Sequence, residues 1–169
     1  MRLTLAGTLA AALLLCGCAG YQLGPTGGQR AGAQSIQITP FLNHSPEPGL
    51  ADELTSAVRK AVQRDATFRL ATDGDSDLVV EGVITEYRRR ELSLLSEDVR
   101  TVRDYQVTLA VHVTMRERAS GKVIVDRMVS GGTLLRVGDD FNSSERQAAP
   151  IIARDLARQI TTLLADGEW

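Results

Sequence analysis

The chain of 169 residues has few of the residues that usually carry chemistry or base stacking. Aromatic residues make up 4% of it, so it offers no evident platform on which nucleic-acid bases could stack. Its 19 basic and 21 acidic residues nearly cancel, and a net charge of −2 gives no argument for nucleic acid. The only histidines, His44 and His112, lack the flanking signature of a nucleophile and its base. These shortages favour a non-catalytic binding or assembly protein over an enzyme.

Cysteine is almost as scarce, and both copies lie at the end of an apolar N-terminal run. Cys16 and Cys18 are separated by a single residue. A disulfide across one residue would be strained, and a zinc site usually takes about four ligands from two clusters. We therefore predict no disulfide, no metal site and no cofactor here.

The N-terminal run has the features of a secretory signal. After a short basic start, residues 3–15 are mostly apolar, a length typical of a signal peptide and too short to cross a bilayer. Leu15 and Gly17 precede Cys18 in an arrangement that resembles the bacterial lipobox. The resemblance implies removal of a signal peptide (1–17) and acylation of Cys18, including palmitate. An ordinary secretory signal or an uncleaved helix is the alternative.

The lipobox resemblance also implies where the chain resides. Such lipoproteins carry three acyl chains, and each buried CH₂ contributes about 0.8 kcal/mol, so anchoring would be effectively permanent. Ala19 after the cysteine favours the outer membrane, with the domain lipid-anchored at its periplasmic face. Residues 18–34 are rich in glycine and polar residues, which predicts a flexible tether. Its root-mean-square length up to Ile36 would be roughly 20–25 Å, which keeps the domain near the membrane.

Residues 35–169 are predicted to form a single α+β domain. Alternating apolar residues predict strands around 35–39, within 78–90, across 105–115 and from residue 123 to 132. Apolar spacing of three to four predicts helices from Leu50 and around 152–164. Pro40 should mark an edge or the end of the first strand, because proline lacks an N–H. The order β-α-β-β-β-α predicts a two-layer sandwich, with a four-stranded, mostly antiparallel sheet and two helices on one face.

Alternation also assigns side chains to faces of the strands. Leu78 and Ile84 should share one face, whereas Tyr87 should lie on the other. His112 falls on the more polar face of its strand and is predicted to be a plain surface histidine. Ser144 and Gln147 have the spacing of a helix capping box, and Pro150 should start or kink the last helix.

One loop invites a calcium-binding interpretation, because three aspartates alternate in it. Asp73, Asp75 and Asp77 lie at the spacing of an EF-hand loop. The glycine required at the sixth position and the glutamate at the twelfth are Leu78 and Ile84 instead. We therefore predict a solvated loop.

Three segments together resemble the LPS-assembly lipoprotein family, LptE. They are "ITPFLNHSPEPGLADELTSAVRKAV", "DLVVEGVITEYRRRELS" and "YQVTLAVHVTMRERASGKVI", after a lipobox cysteine that is soon followed by Gly and Tyr. The resemblance implies a non-enzymatic outer-membrane lipoprotein that plugs a large β-barrel translocon, LptD. Together the two would place lipopolysaccharide in the outer leaflet. Family members also bind lipopolysaccharide through basic residues at one end of the domain.

The predicted topology gathers arginines at one end of the sheet. The last three predicted strands should form a meander, in which each strand runs antiparallel to the one before it. The end of the strand within 78–90, the start of the strand across 105–115 and the end of the strand from residue 123 then lie together. We define the arginine rim as the residues collected there: Arg88, Arg89, Arg90, Arg100, Arg103 and Arg136. Guanidinium groups can pair bidentately with lipid phosphates, which makes the rim a candidate lipopolysaccharide site. Acidic residues nearby leave open an ordinary solvated, salt-bridged end.

A second function also fits a lipidated cysteine, a tether and a small α/β domain. It is an outer-membrane lipoprotein adaptor that activates a periplasmic enzyme such as a cell-wall synthase. Such an adaptor usually needs a long tether to reach across the periplasm. The short tether of this chain fits a barrel plug better.

Overall fold

The computed structural model describes residues 31–92, 104–136 and 141–166, which form eight elements. In chain order these are β1 (Ser35–Ile38), β2 (Leu42–Asn43), α1 (Leu50–Asp65), β3 (Arg69–Leu70), β4 (Leu78–Glu91), β5 (Asp104–Glu117), β6 (Val123–Arg136) and α2 (Phe141–Ala165). The predicted signal peptide, Cys18 and all but the last four residues of the predicted tether lie outside the described residues. Among the described helices, none is long and apolar enough to cross a membrane.

The strands form one mixed sheet of six strands. Its order is β3-β1-β4-β5-β6, and β2 pairs separately with β4. The strands β1, β2 and β3 pair in parallel, whereas β4, β5 and β6 form an antiparallel meander. The α+β class and the two helices are confirmed, but the four-stranded, mostly antiparallel sheet is wrong in detail. The two extra strands have two residues each, which is too short to leave an alternating pattern.

The direction of the strands defines two ends of the sheet. We call the end where β1, β4 and β6 begin the base, and the end where β4 and β6 finish the rim. Helix α1 joins β2 to β3, and α2 follows β6, so both helices run back toward the base. The strand β1 ends two residues before Pro40, as predicted, although it lies inside the sheet between β3 and β4.

The core lies between the sheet and the two helices. From α1 it takes residues such as Leu54 and Val58, and from α2 residues such as Leu156 and Ile160, all of them fully buried. A Cβ added at Gly82 would lie 2.4 Å from the ring of Phe41, so only glycine leaves room for this buried ring. The Phe41 N–H donates to the Thr55 hydroxyl at 2.9 Å, which satisfies a buried backbone group. The packing of the Phe41 ring and the hydrogen bond of its N–H therefore both hold the link after β1 against the core and α1.

A bulge in β4 changes which face its later residues occupy. Ile84 pairs with Val111 but Glu86 pairs with Ala110, so Thr85 is the extra residue. Tyr87 consequently lies opposite Leu109 and packs against the core. The prediction that Tyr87 faces away from Ile84 is therefore wrong, because an extra residue reverses the alternation beyond it.

The last helix begins earlier than the capping box predicts. It runs from Phe141, so Ser144 is its fourth residue and does not stand at its N-cap. Pro150 lies inside the helix rather than at its start. The helix contacts β6 closely at Gly131, where an added Cβ would lie 3.1 Å from the Leu156 side chain.

Candidate functional site

The backbone pairing brings the ends of β4, β5 and β6 together at the rim. Arg90 lies opposite Gln106, and Asp104 at the start of β5 lies opposite Arg136 at the end of β6. The structure thus places four of the six rim arginines, Arg88 to Arg90 and Arg136, at one end of the sheet. Arg100 and Arg103 lie outside the described residues.

The bulge divides the three consecutive arginines of β4 between the two faces of the sheet. Arg88 and Arg90 lie opposite Thr108 and Gln106, on the face that points away from the helices. Arg89 lies on the helix side, with its guanidinium carbon 5.5 Å from the centre of the Tyr87 ring. At that distance the arginine cation interacts with the face of the aromatic ring. The outer face therefore presents two adjacent arginines, and the helix face holds the third against an aromatic ring.

Of the two outward arginines, Arg88 is exposed and pairs with a carboxylate of its own strand. Its side chain is 75% exposed and forms an ion pair with Glu86, two residues before it on the same strand. Exposed pairs of this kind contribute about 0–1 kcal/mol to stability, so competing anions can replace the carboxylate at little cost. The charge is thus accessible from solvent.

Next to these arginines, the outer face of β5 and β6 carries a shallow hollow. It is bounded by polar side chains of β5, by Leu134 of β6 and by a pair of glycines between them. A Cβ at Gly132 would lie 2.8 Å from the Val107 carbonyl oxygen, so the strand has no room for a side chain at this position. Leu134 is 70% exposed, which is unusual for a leucine in a long strand. An apolar side chain therefore lies on the same face as the outward arginines.

Sequence reasoning missed this hollow. The signal that could have found it is the pair Gly131–Gly132 inside a strand pattern, which often marks a close approach of another backbone or a ligand. Leu134 follows two residues later, on the same face as Gly132.

At the base, by contrast, charged groups are bound within the domain. The Asp77 carboxylate accepts hydrogen bonds from the Ser35 N–H and hydroxyl, both at 2.7 Å. These bonds hold the pKa of Asp77 below its ordinary value. Arg118 donates to the Ser76 carbonyl at 3.0 Å and also to Gln37. The loop before β4 is thus a structural clasp on β1.

The remaining candidates have structural roles or exposed positions. His112 is partly exposed on the outer face, as predicted, where it pairs with Asp126. No group of potential metal ligands occurs among the described residues. Arg59 donates from Nε and Nη2 to the Ile38 carbonyl at 3.2 and 2.7 Å, so this arginine ties α1 to β1.

The fold is shared with several solved bacterial proteins. One is a minor lipoprotein from Acinetobacter baumannii, with 19% identity, a TM-score of 0.55, and coverage of 78% of this chain and 92% of that one. Another is a protein from Xanthomonas campestris, with 11% identity, a TM-score of 0.59, and coverage of 85% and 90%. A PelC dodecamer from Paraburkholderia phytofirmans has 12% identity, a TM-score of 0.51, and coverage of 77% and 89%. These likenesses establish the class, an α+β domain of a fold found in bacterial lipoproteins.

A family model is more specific than the fold. The model described as "LptE: Lipopolysaccharide-assembly" matches residues 33–164, which include every described strand in full and both helices except the last residue of α2. The chain belongs to the LptE family, as its sequence resemblance implied. This family consists of non-enzymatic lipoproteins with a general role in lipopolysaccharide assembly. A search of curated proteins finds no match.

Proposed function

We propose that this protein is an outer-membrane lipoprotein that works with an LptD-like β-barrel translocon to assemble lipopolysaccharide into the outer leaflet. The observation that carries the proposal is the family match across residues 33–164. The domain acts as a plug and chaperone in the barrel, and it performs no chemical step. Cys18 carries the lipid that holds it at the periplasmic face of the outer membrane.

The rim supports direct contact with lipopolysaccharide. This lipid combines phosphate groups with acyl chains, and the outer face presents Arg88 and Arg90 on the same side as the exposed Leu134. Charge-assisted hydrogen bonds from guanidinium groups would hold the phosphates, while the exposed Leu134 beside the hollow offers an apolar contact to the lipid chains. The other members of the arginine rim complete the proposed phosphate-binding site: Arg89, Arg100, Arg103 and Arg136.

Depletion of the protein in its native cell tests the assembly role. We expect lipopolysaccharide to disappear from the cell surface and to build up in the periplasm or inner membrane. Affinity purification from outer membranes with mass spectrometry should recover a large β-barrel protein. Normal surface lipopolysaccharide after complete depletion would overturn the proposal, and a concurrent loss of cell-wall synthase activity would favour the adaptor function.

Metabolic labelling with palmitate tests the anchor separately. Cys18→Ser should abolish incorporation of the label, whereas Cys16→Ser should leave it intact because that residue leaves with the signal peptide. The reverse result would show that the cleavage site is assigned incorrectly.

A further inference from the structure

A basic groove lies between α1 and α2, on the solvent side of the helix layer. It has a volume of about 410 Å³, within the range of about 300–1,000 Å³ typical of small-ligand sites. Lys60 and Arg64 line it from α1, and Arg154 and Arg158 line it from α2. Glu53 is the one carboxylate in the lining. On a chain with a net charge of −2, this is a marked local excess of positive charge.

Contacts within the domain leave much of this charge uncompensated. Lys60 and Arg64 form no ion pair with any residue that the structure describes. Arg154 uses Nε to donate to the carbonyl of Pro150 at 3.1 Å, which does not neutralise its charge. Three of the four cations are therefore available to an anion.

The fourth cation is shared with a carboxylate of its own helix. Arg158 pairs with Asp155 at 2.8 Å, but its side chain remains 76% exposed. An exposed pair of this kind is weak enough to yield to a competing anion.

The spacing of these cations within each helix is unfavourable, although Arg64 in the last turn of α1 also gains from the helix dipole. Lys60 and Arg64 are four residues apart on α1, and Arg154 and Arg158 are four apart on α2. Like charges at this spacing destabilise a helix by a few tenths of a kcal/mol per pair. An anion held between the two helices would relieve both repulsions at once.

The floor of the groove admits a ligand close to the helix backbones. It is formed by three alanines, Ala57 and Ala61 of α1 and Ala157 of α2. Their side chains end at Cβ, so they leave space above the helix backbones. A phosphate group between the helices could therefore reach cations from both walls. Small residues alone would mean only close helix packing, but here they lie beneath two facing pairs of cations.

The lining of the groove reaches the end of the domain from which the tether leaves. Arg64 lies in the last turn of α1, and three residues later the Thr67 carbonyl accepts a hydrogen bond from the Gly32 N–H at 3.0 Å. A tether of the kind that the composition predicts would span only about 20 Å between Cys18 and Gly32. A lipid surface that holds Cys18 is therefore within reach of the groove.

We propose that the groove between α1 and α2 binds the phosphate headgroup of an anionic phospholipid in the leaflet that holds the lipid anchor. This rests on the proposed anchor but not on lipopolysaccharide binding by the rim. Binding there orients the domain, because it adds a second attachment to the membrane beside the tether. Each cation near an anionic surface strengthens the attachment, and a single flexible tether sets no orientation.

Native mass spectrometry of the purified full chain in detergent tests this site. The micelles contain either phosphatidylglycerol or phosphatidylcholine with the same acyl chains. We expect the anionic lipid to bind at least about tenfold more tightly, and Lys60→Gln/Arg154→Gln to remove at least about tenfold of that affinity. The matched control, Lys122→Gln/Arg127→Gln at the base of β6, removes the same charge and should change nothing.

Further arms separate the possible outcomes. Equal binding of the two lipids by the parent chain, or equal losses in the groove and control variants, would overturn the proposal. Displacement of the lipid by an equimolar amount of glycerol 3-phosphate would show a free-phosphate site and overturn the lipid assignment.

Far-UV circular dichroism checks that the variants fold, and Arg64→Gln serves as a milder second variant. Palmitate labelling at Cys18 reports independently on the anchor, and lipopolysaccharide binding by the groove variant reports on the rim.

Discussion

The base and the rim of the same three long strands use charged residues in opposite ways. At the base, Asp77 accepts two hydrogen bonds from Ser35, and Arg118 donates to Ser76 and Gln37. At the rim, Arg88 has a side chain that is 75% exposed, and its ion-pair partner is two residues away on its own strand.

This difference separates structural charges from charges that a ligand can use. The base groups bridge positions far apart in sequence, such as Ser35 and Asp77, so they stabilise the fold. The Arg88–Glu86 pair joins neighbours on one strand and fixes no tertiary contact. An arginine in a strand is thus a candidate for binding only after its partners are known.

The largest expected effect concerns packing near the base. Phe41→Ala should lower the free energy of unfolding by about 3–5 kcal/mol, because Phe41 is 4% exposed and fills the space above Gly82. Urea denaturation of the purified chain measures this change. The matched control is Leu134→Ala near the rim, where a 70% exposed side chain should contribute less than about 0.5 kcal/mol. Equal losses would mean that the rim is as much a part of the core as the base.

The next effect is on lipid binding at the rim. Arg88→Ala/Arg90→Ala should weaken lipopolysaccharide binding at least about tenfold, since each charge-assisted bond contributes about 1.5–3 kcal/mol before desolvation. The unfolding free energy should change by less than about 1 kcal/mol, because exposed ion pairs contribute little. Binding to immobilised lipopolysaccharide at low and at high salt measures both the loss and its electrostatic origin.

Controls for the rim come from the same sheet. Lys122→Ala/Arg127→Ala removes two exposed charges at the base end and should leave the affinity unchanged. Arg59 would be a poor control, because its bonds to the Ile38 carbonyl tie α1 to β1. If the rim variant binds as tightly as the parent at low salt, the rim is an ordinary solvated end.

Much of the fold, but less of the site, could be predicted from the sequence. Long alternating strands such as β5 leave a pattern of period two, and so their faces were predictable. The bulge at Thr85 leaves no such pattern, although it decides that Tyr87 and Arg89 face the helices. The short strands β2 and β3 exist only through pairing with distant residues, a tertiary effect that local patterns do not record.

The site shows the same limit for a different reason. A meander brings strand ends together whatever their side chains, so the grouping of Arg88 with Arg136 followed from topology alone. The groove between α1 and α2 depends on which faces of two distant helices meet. Periodicity shows that Lys60 and Arg64 share a face of α1, but it does not place α2 beside them.

A smaller effect is expected where α1 ends at the base. Ala66 has φ of +61°, the only positive value for a non-glycine residue among those described, and it closes the helix through its N–H to the Val62 carbonyl. Ala66→Gly should raise the free energy of unfolding by about 0.5–1 kcal/mol, because glycine adopts this conformation without steric cost. The opposite sign is expected for Ala61→Gly inside the same helix, and thermal denaturation of both variants measures the contrast.

The smallest effect, and the one that tests the base clasp directly, is the pH dependence carried by Asp77. The hydrogen bonds from the Ser35 hydroxyl and N–H lower its pKa in the folded chain, while the unfolded chain keeps a value of about 3.9. The unfolded state therefore binds a proton first as pH falls, so the stabilisation is complete above about pH 5 and is lost as pH falls through the folded pKa. The difference in unfolding free energy between the parent and Asp77→Asn should be largest at neutral pH and should shrink in acid. A difference between the parent and Asp77→Asn that stays flat with pH would show that Asp77 does not clasp β1 in solution.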